Sequence, residues 1–251
     1  MKDTKTLFDG RAKVYSAGRC GYANELIDYL YQTYRISDRS VIADIGSGTG
    51  KLSNQLLDRG STVYGIEPNA DMRRLAEKEL NRYPNFCSLN GNAEHTALSD
   101  HSVDFVTAAQ AFHGFDTERF RKESARIMKS GGTVFLIWNK SENDEPIMQA
   151  LSSVFTEFCP DFKGFLNGLR QDEKKIADFF ENRYEYAAFD HPILYDREKF
   201  LLRYLSSSYS LRETDVRYVS FREALLSVFE RYEKGGILTV PNQSVVYGGT
   251  I

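Results

Sequence analysis

The sequence predicts an α/β fold, a doubly wound and mostly parallel sheet with helices on both faces. Residues 41–53 read VIADIGSGTGKLS and are followed by Tyr64-Gly65-Ile66-Glu67: an apolar run, alternate glycines, a helix-like segment, a second apolar run and an acid. That is the order of a strand, a tight turn, a helix and a second strand ending in a carboxylate able to hold two vicinal hydroxyls, such as a nucleoside-containing cofactor presents. Strand and helix patterns then alternate as far as residue 138, as crossover-connected parallel strands require. At 251 residues the chain can bury a full core, and its length fits one α/β domain with an insertion.

The elements follow in order. Residues 1–40 are polar with scattered aromatics, and 25–34 read as a helix with Leu26, Tyr29 and Leu30 at i, i+3 and i+4. After the strand and turn at 41–53, Met72, Leu75, Ala76 and Leu80 make one apolar helix face behind an Asn69 N-cap. Residues 118–128 repeat the pattern through Phe120 and Ile127, and Gly131-Gly132 is expected to stop that helix before a strand at 133–138. Further on, 147–158 and 174–180 read as helices, and 184–195 as one strand interrupted at Asp190-His191-Pro192. Residues 197–234 are helical and rich in aromatics, and 237–247 form a last strand.

The glycine spacing narrows the ligand. Gly46, Gly48 and Gly50 give G-x-G-x-G, whereas a dinucleotide fingerprint needs its third small residue at position 51, which is Lys51. A phosphate-cradling G-x-x-x-x-G-K-[ST] fails as well, since Ile45 and Leu52 stand where glycine and Ser or Thr belong. What remains is a turn whose backbone is open to a ligand that need not carry a phosphate.

With Asp44 two residues before Gly46, this stretch resembles the first motif of the class I S-adenosylmethionine-dependent methyltransferases. Gly91-Asn92-Ala93-Glu94 resembles the loop after their third strand, and 103–106 with Ala109-Gln110-Ala111-Phe112-His113 their fourth strand and its end. Lys129-Ser130-Gly131-Gly132 resembles the turn into their fifth strand. The wording AQAFH-G-FD is most similar to a type 11-like bacterial branch acting on small molecules, which usually carries Trp where this chain has Gly114.

The resemblance implies a seven-stranded sheet whose sixth and seventh strands form an antiparallel pair at one edge. It also implies a helical leader over residues 1–40, a sheet domain over 41–195 and 236–251, and a helical lid inserted at 196–235. The implied cofactor is S-adenosyl-L-methionine. Asp44 would meet its methionine amino group, the backbone of Gly46, Ser47 and Gly48 would approach it closely, and Glu67 would accept from both ribose hydroxyls. Pro68 and Met72 follow Glu67 into the next helix. Asn92, with Ala93, would meet the adenine, or serve as a turn residue. Gln110 would approach the methionine end through its backbone, with its side chain a possible local cap. Tyr15 and Arg19 of the leader would reach inward.

His113 is the one histidine that the motif order places at the methyl-transfer end. It is either a general base or a hydrogen-bonding partner of its own loop. Phe112 and Trp138 either line the acceptor pocket or fill the core, and Asn139, just past the strand end, joins them as an acceptor contact. Tyr204 and Tyr209 are the lid candidates. The expected activity is methyl transfer to O, N or C of a small-molecule acceptor, the alternative being a catalytically silent module that binds the adenosyl ligand.

Composition removes other classes. A net charge of -3 and a pI near 5.9 give no basic footprint for nucleic acid. A D/N-P-P-Y/F motif for a flipped base is replaced by Gln110-Ala111-Phe112-His113. No apolar signal core or membrane span is visible, so a soluble cytoplasmic protein is expected. Cys20, Cys87 and Cys159 are scattered and expected to be reduced, with Cys87 a small core residue of the third strand. His95, His101, His113 and His191 show no metal-ligand spacing.

Overall fold

A computed structural model describes residues 19–141, 144–165, 167–207 and 209–251. In chain order the elements are α1 (Asn24–Thr33), β1 (Val41–Ile45), α2 (Lys51–Asp58), β2 (Thr62–Ile66), α3 (Ala70–Leu80), β3 (Phe86–Leu89) and β4 (Val103–Ala109). A 3-10 turn at Phe112–Gly114 leads to α4 (Thr117–Ile127), β5 (Met128–Ser141), α5 (Pro146–Phe158), α6 (Asn167–Phe179), β6 (Tyr184–Asp190) and β7 (Ile193–Tyr195). The chain ends with α7 (Arg197–Leu205), α8 (Tyr218–Tyr232), β8 (Leu238–Val240) and β9 (Asn242–Gly249).

Seven strands form one sheet in the order β3-β2-β1-β4-β5-β9-β6. The first five run parallel, and β9 runs antiparallel to both β5 and β6. The expected antiparallel pair is thus at one edge, with the reversed strand itself one place in from the margin. β7 and β8 form a separate antiparallel ribbon.

Apolar stripes bury the helices on opposite faces. Leu26, Ile27 and Leu30 of α1 pack with Leu52 and Leu56 of α2 and Leu80 of α3 over Val63, Phe135, Ile137 and Val246. Phe120 and Ile127 of α4 and Ile176 and Phe179 of α6 cover the other face, over Val106, Val134 and Trp138. α3 begins where the Asn69 side chain accepts from the amides of Asp71 and Met72, both at 3.0 Å, which satisfies two of the helix's orphan donors. A third cluster joins α5, α7, α8 and the β7-β8 ribbon through Leu151, Phe155, Phe200, Phe221 and Leu238. The helix after β5 therefore packs with the inserted helices, although the sequence division keeps residue 195 and everything back to 41 with the sheet.

Several elements differ from expectation for definite reasons. The last strand is two, because Pro241 has no amide to donate and divides β8 from β9. Residues 184–195 likewise divide between two sheets at His191-Pro192. The region 197–234 is two helices separated by 206–217. α4 ends before its glycines: β5 already begins at Met128, and Gly131, with φ +81°, lies where the register against β4 shifts. Cys87 is exposed on the outer strand β3 rather than buried. Among the described residues no helix is long and apolar enough to cross a membrane, and no group of three or more His, Cys, Asp or Glu side chains can hold a metal ion.

Candidate functional site

The strand order reverses between β1 and β4, which leaves a crevice beyond the carboxyl ends of the central strands. Ile45 pairs with Ile66 and Asp44 with Thr107, so Asp44 and Glu67 emerge on neighbouring strands around that crevice. The turn between β1 and α2 folds over β2, the amides of Gly46 and Ser47 donating to the Ile66 carbonyl at 2.8 and 3.2 Å. Gly46, Gly48 and Gly50 have φ of +68°, +57° and +79°, a region open to glycine without steric cost. At Gly50, the N-cap of α2, a Cβ would lie 2.7 Å from Leu80 Cδ1, so a side chain there would displace that methyl as well as strain the backbone. At Gly48 a Cβ would meet no atom within 4 Å and would stand in the cavity.

Asp44 is 1% exposed and accepts from Ser53 Oγ at 2.6 Å and Thr107 Oγ1 at 3.0 Å. Burial pushes its pKa up to about 6 against those two hydrogen bonds, and the Glu67 charge adds to the rise. Glu67 accepts from the amides of Gly48 at 3.0 Å and Asn69 at 2.8 Å. Burial raises its pKa too, opposed by those donors and by the charge of Arg73, whose Nη1 donates to the Glu67 carbonyl at 2.7 Å.

Two chambers meet at this turn, both bordered by Arg19, Gly46, Gly48, Ala109 and Gln110. The outer one, about 370 Å³, has Glu67, Pro68, Met72, Asn92, Ala93 and His113 in its wall. The inner one, about 100 Å³, has Asp44, Ser47, Asn139, Tyr195, Arg203 and Asn242 among its lining. Asn92 Oδ1 accepts from the Glu94 amide at 3.0 Å, so Asn92 sets its own turn while facing the outer chamber. Gln110 has φ +57°, a conformation that costs a non-glycine residue about 1 kcal/mol or more. Its amide donates to the Ile137 carbonyl at 2.9 Å and its Nε2 to the Asn139 carbonyl at 3.1 Å, which hold that bend against the sheet end. His113 is exposed on the 3-10 turn at the rim of the outer chamber.

The other expected contacts divide between the chamber wall and the core. Phe112 is 0% exposed and has ring neighbours Phe120, Trp138 and Phe179 at centroid distances of 6.1, 6.3 and 5.3 Å. Trp138 is buried between Phe112 and Tyr247. Both are core side chains, because the alternation of β5 and the 3-10 turn after β4 aim them at α4 and α6 rather than at the crevice. Phe112→Ala should therefore lower unfolding free energy by about 3–5 kcal/mol, read as a drop in the urea midpoint. Asn139 works mainly as an anchor: its Nδ2 donates to the Gly21 carbonyl at 2.8 Å and its Oδ1 accepts from Ser244 Oγ at 2.6 Å. That tie, with Gln55 bonding both the amide and the carbonyl of Tyr22 at 2.8 Å, fixes the strand-like entry to α1 across the chamber mouth. Tyr204 borders the inner chamber, and burial raises its pKa despite the positive charge of Arg203. Tyr209 instead packs against Phe155 and Phe162 at 5.3 and 5.2 Å. Tyr15 lies outside the described residues.

Sequence motifs missed Ser53 and Thr107, the hydroxyls that hold Asp44, and Tyr195, Arg203 and Asn242 of the inner chamber. Ser53 and Thr107 carry a faint signal, as hydroxyls three residues past the last glycine of the turn and inside an apolar strand. The other three come from distant segments that only the tertiary fold brings together.

Comparison with known proteins agrees with this architecture. Residues 43–136 match the family profile of a methyltransferase domain. An uncharacterised methyltransferase of Mycobacterium tuberculosis is 37% identical over 138 residues, 55% of this chain and 54% of that protein. One of Schizosaccharomyces pombe is 28% identical over 154 residues, 61% of this chain and 59% of its own. The matched region thus spans about half the length of these relatives. A solved Anaeromyxobacter dehalogenans protein, provisionally named a type II methyltransferase, superposes with a TM-score of 0.64 at 19% identity over 92% of this chain and 97% of its own. A phosphoethanolamine N-methyltransferase of Haemonchus contortus, solved with phosphomonomethylethanolamine and S-adenosylhomocysteine, gives 0.55 at 13% identity over 99% of this chain and 60% of its own. Over residues 43–136 the chain is thus similar to methyltransferase domains, and it shares the fold of the solved neighbours.

Proposed function

We propose that the protein is an S-adenosyl-L-methionine-dependent methyltransferase that transfers a methyl group to O, N or C of a small-molecule acceptor. The observation that carries the reading is the pair of buried carboxyls, Asp44 and Glu67, on either side of a glycine whose missing Cβ leaves the cavity open. The residues fit the donor. Glu67 keeps lone pairs beyond those its two amides use and faces the outer chamber, as ribose hydroxyls need. Asp44 faces the inner chamber, where an ammonium group would stabilise its ionised form.

Bound there, S-adenosylmethionine supplies a sulfonium whose methyl carbon is strongly electrophilic. The chain's work is then positional: the Gly46–Gly48 turn and Gln110 confine the junction of the two chambers, and Asn139, Tyr195 and Tyr204 close the inner side against water. α7 and α8, between β6 and β9, serve as the acceptor-side cover in this reading. Bound S-adenosylhomocysteine in the Haemonchus contortus neighbour lends the donor assignment support at the level of fold.

His113, at the outer rim, is placed to take a proton from an acceptor hydroxyl or amine. His113→Ala should leave the affinity for S-adenosylhomocysteine within about threefold while lowering methyl transfer about 10²-fold. Unchanged transfer would remove the base role and leave His113 as a loop residue. The overall reading is tested with methyl-labelled S-adenosylmethionine and the low-molecular-weight fraction of a cell extract. Label should pass to a small product with the native chain and not with Glu67→Ala. Label that stays on the donor at native protein concentrations equal to the donor's would contradict it.

A further inference from the structure

We propose that Asn242 and Thr49 hold the methyl donor's carboxylate in the inner chamber, so that the chain selects a donor with an intact amino-acid head over one that lacks the carboxyl group; this rests on the methyl-donor reading above. An α-amino acid carries its ammonium and its carboxylate on one carbon, so a chamber that brings the ammonium to Asp44 also receives the carboxylate. At about 100 Å³ the space takes little beyond that head group. The carboxylate leaves water on entering and needs hydrogen-bond donors from the same walls.

The side-chain amides of the lining divide into committed and open ones. Asn139 Nδ2 donates to the Gly21 carbonyl at 2.8 Å, and Gln110 Nε2 to the Asn139 carbonyl at 3.1 Å. Asn242 Nδ2 is buried with no hydrogen-bond partner, and so is Thr49 Oγ1; both residues line the chamber and both are 5% exposed. Buried donors are rarely left unmade, and two on the wall of one small chamber mark where a ligand atom accepts. Asn242 Nδ2 can only donate, so it meets a carboxylate oxygen and not the ammonium. Both side chains are mounted on fixed backbone. Asn242 pairs with Ser141 in the sheet and its carbonyl accepts from the His191 amide at 2.7 Å, while Thr49 lies in the glycine turn beside Gly50, the N-cap of α2. Donors held in this way lose little freedom when the ligand arrives. The field in the chamber has the matching sign. Cys20 lines it too, and although burial raises the pKa of its thiol, the charges of Arg203, Arg19 and Lys51 all act against that rise. Negative charge is thus favoured at that wall.

The test titrates the full chain calorimetrically with S-adenosylhomocysteine and with its decarboxylated analogue, which keeps the amine. The native chain should bind S-adenosylhomocysteine about tenfold or more tightly than the analogue. Asn242→Leu, similar in size but without a donor, and Thr49→Val should each weaken S-adenosylhomocysteine about tenfold and leave the analogue within about threefold. Asn242→Ala, which only vacates space, should repeat that loss. In the ligand-free chain the urea midpoint should hold or rise in Asn242→Leu and Thr49→Val, since neither donor has a protein partner to lose. A lower midpoint with both ligands weakened alike would make the two side chains structural and overturn the proposal. Variants that keep the native preference would place the carboxylate on other groups and overturn it too. Equal affinity of the native chain for the two ligands would do the same, whereas a native chain that binds neither would fail the donor reading itself.

Discussion

Glu67→Ala should weaken S-adenosylhomocysteine binding about 100-fold. Two ribose hydroxyls donating to one buried carboxylate are charge-assisted bonds of about 1.5–3 kcal/mol each, of which part is lost to their hydration in water. The substitution also strips the amides of Gly48 and Asn69 of their acceptor, at 3.0 and 2.8 Å, and so loosens the turn that presents the ligand. Glu67→Gln separates these effects. It keeps one acceptor oxygen and the side chain's shape but donates with its other atom, so it should recover a small part of the affinity and most of the thermal stability. Equal affinity in all three proteins, read by calorimetry, would mean that the carboxylate only fastens the turn.

Asp44 gives the second large effect, and its sign depends on pH. In the ligand-free protein its pKa stands near 6, above an ordinary carboxyl's 3.8, so the folded state holds a proton that the unfolded state releases. Between those values the folded state binds more protons, so this group's contribution to stability is full below about pH 4 and is lost as pH rises through about 6. An ammonium group beside Asp44 reverses the preference by favouring the carboxylate. S-adenosylhomocysteine affinity should then fall as pH drops below about 6, with a proton released on binding near that pH, seen as a binding heat that changes with the buffer's ionisation enthalpy. Asp44→Asn should flatten this profile and cost about tenfold or more in affinity at pH 7.5. The Ser53 and Thr107 hydroxyls can turn to suit the amide, since each can donate or accept. The same variant should be more stable than the native chain at pH 8 without ligand, because it no longer buries a charge.

Much of the sheet was legible because each strand-to-helix passage leaves a local mark. Residues 41–53 announce a turn by glycine spacing, Asn69 announces a helix by its cap, and apolar runs set the strands from 41 to 106. The two carboxyls of the site share that legibility, since each sits at a fixed offset from a glycine turn or a strand end. What was not legible depends on contacts distant in sequence. Phe112 and Trp138 belong to the core because α4 and α6 close over them, and nothing in the local wording AQAFHG distinguishes that from a pocket wall. The packing of α5 with α7 and α8, which begin 39 and 60 residues after α5 ends, is equally silent in the sequence. Asn242 reaches the cavity wall just after Pro241, where the β7-β8 ribbon ends and β9 begins beside Ser141.

The central claim is that the Gly46–Gly48 turn, flanked by Asp44 and Glu67, holds an adenosyl ligand with a methionine tail. Calorimetric titration of the folded native chain at pH 7.5 with S-adenosylhomocysteine, and in parallel with NADH, tests it most directly. The account predicts saturable one-to-one binding of S-adenosylhomocysteine at micromolar concentration and no heat from NADH. Binding of NADH, or no binding of S-adenosylhomocysteine up to millimolar concentration, would contradict it.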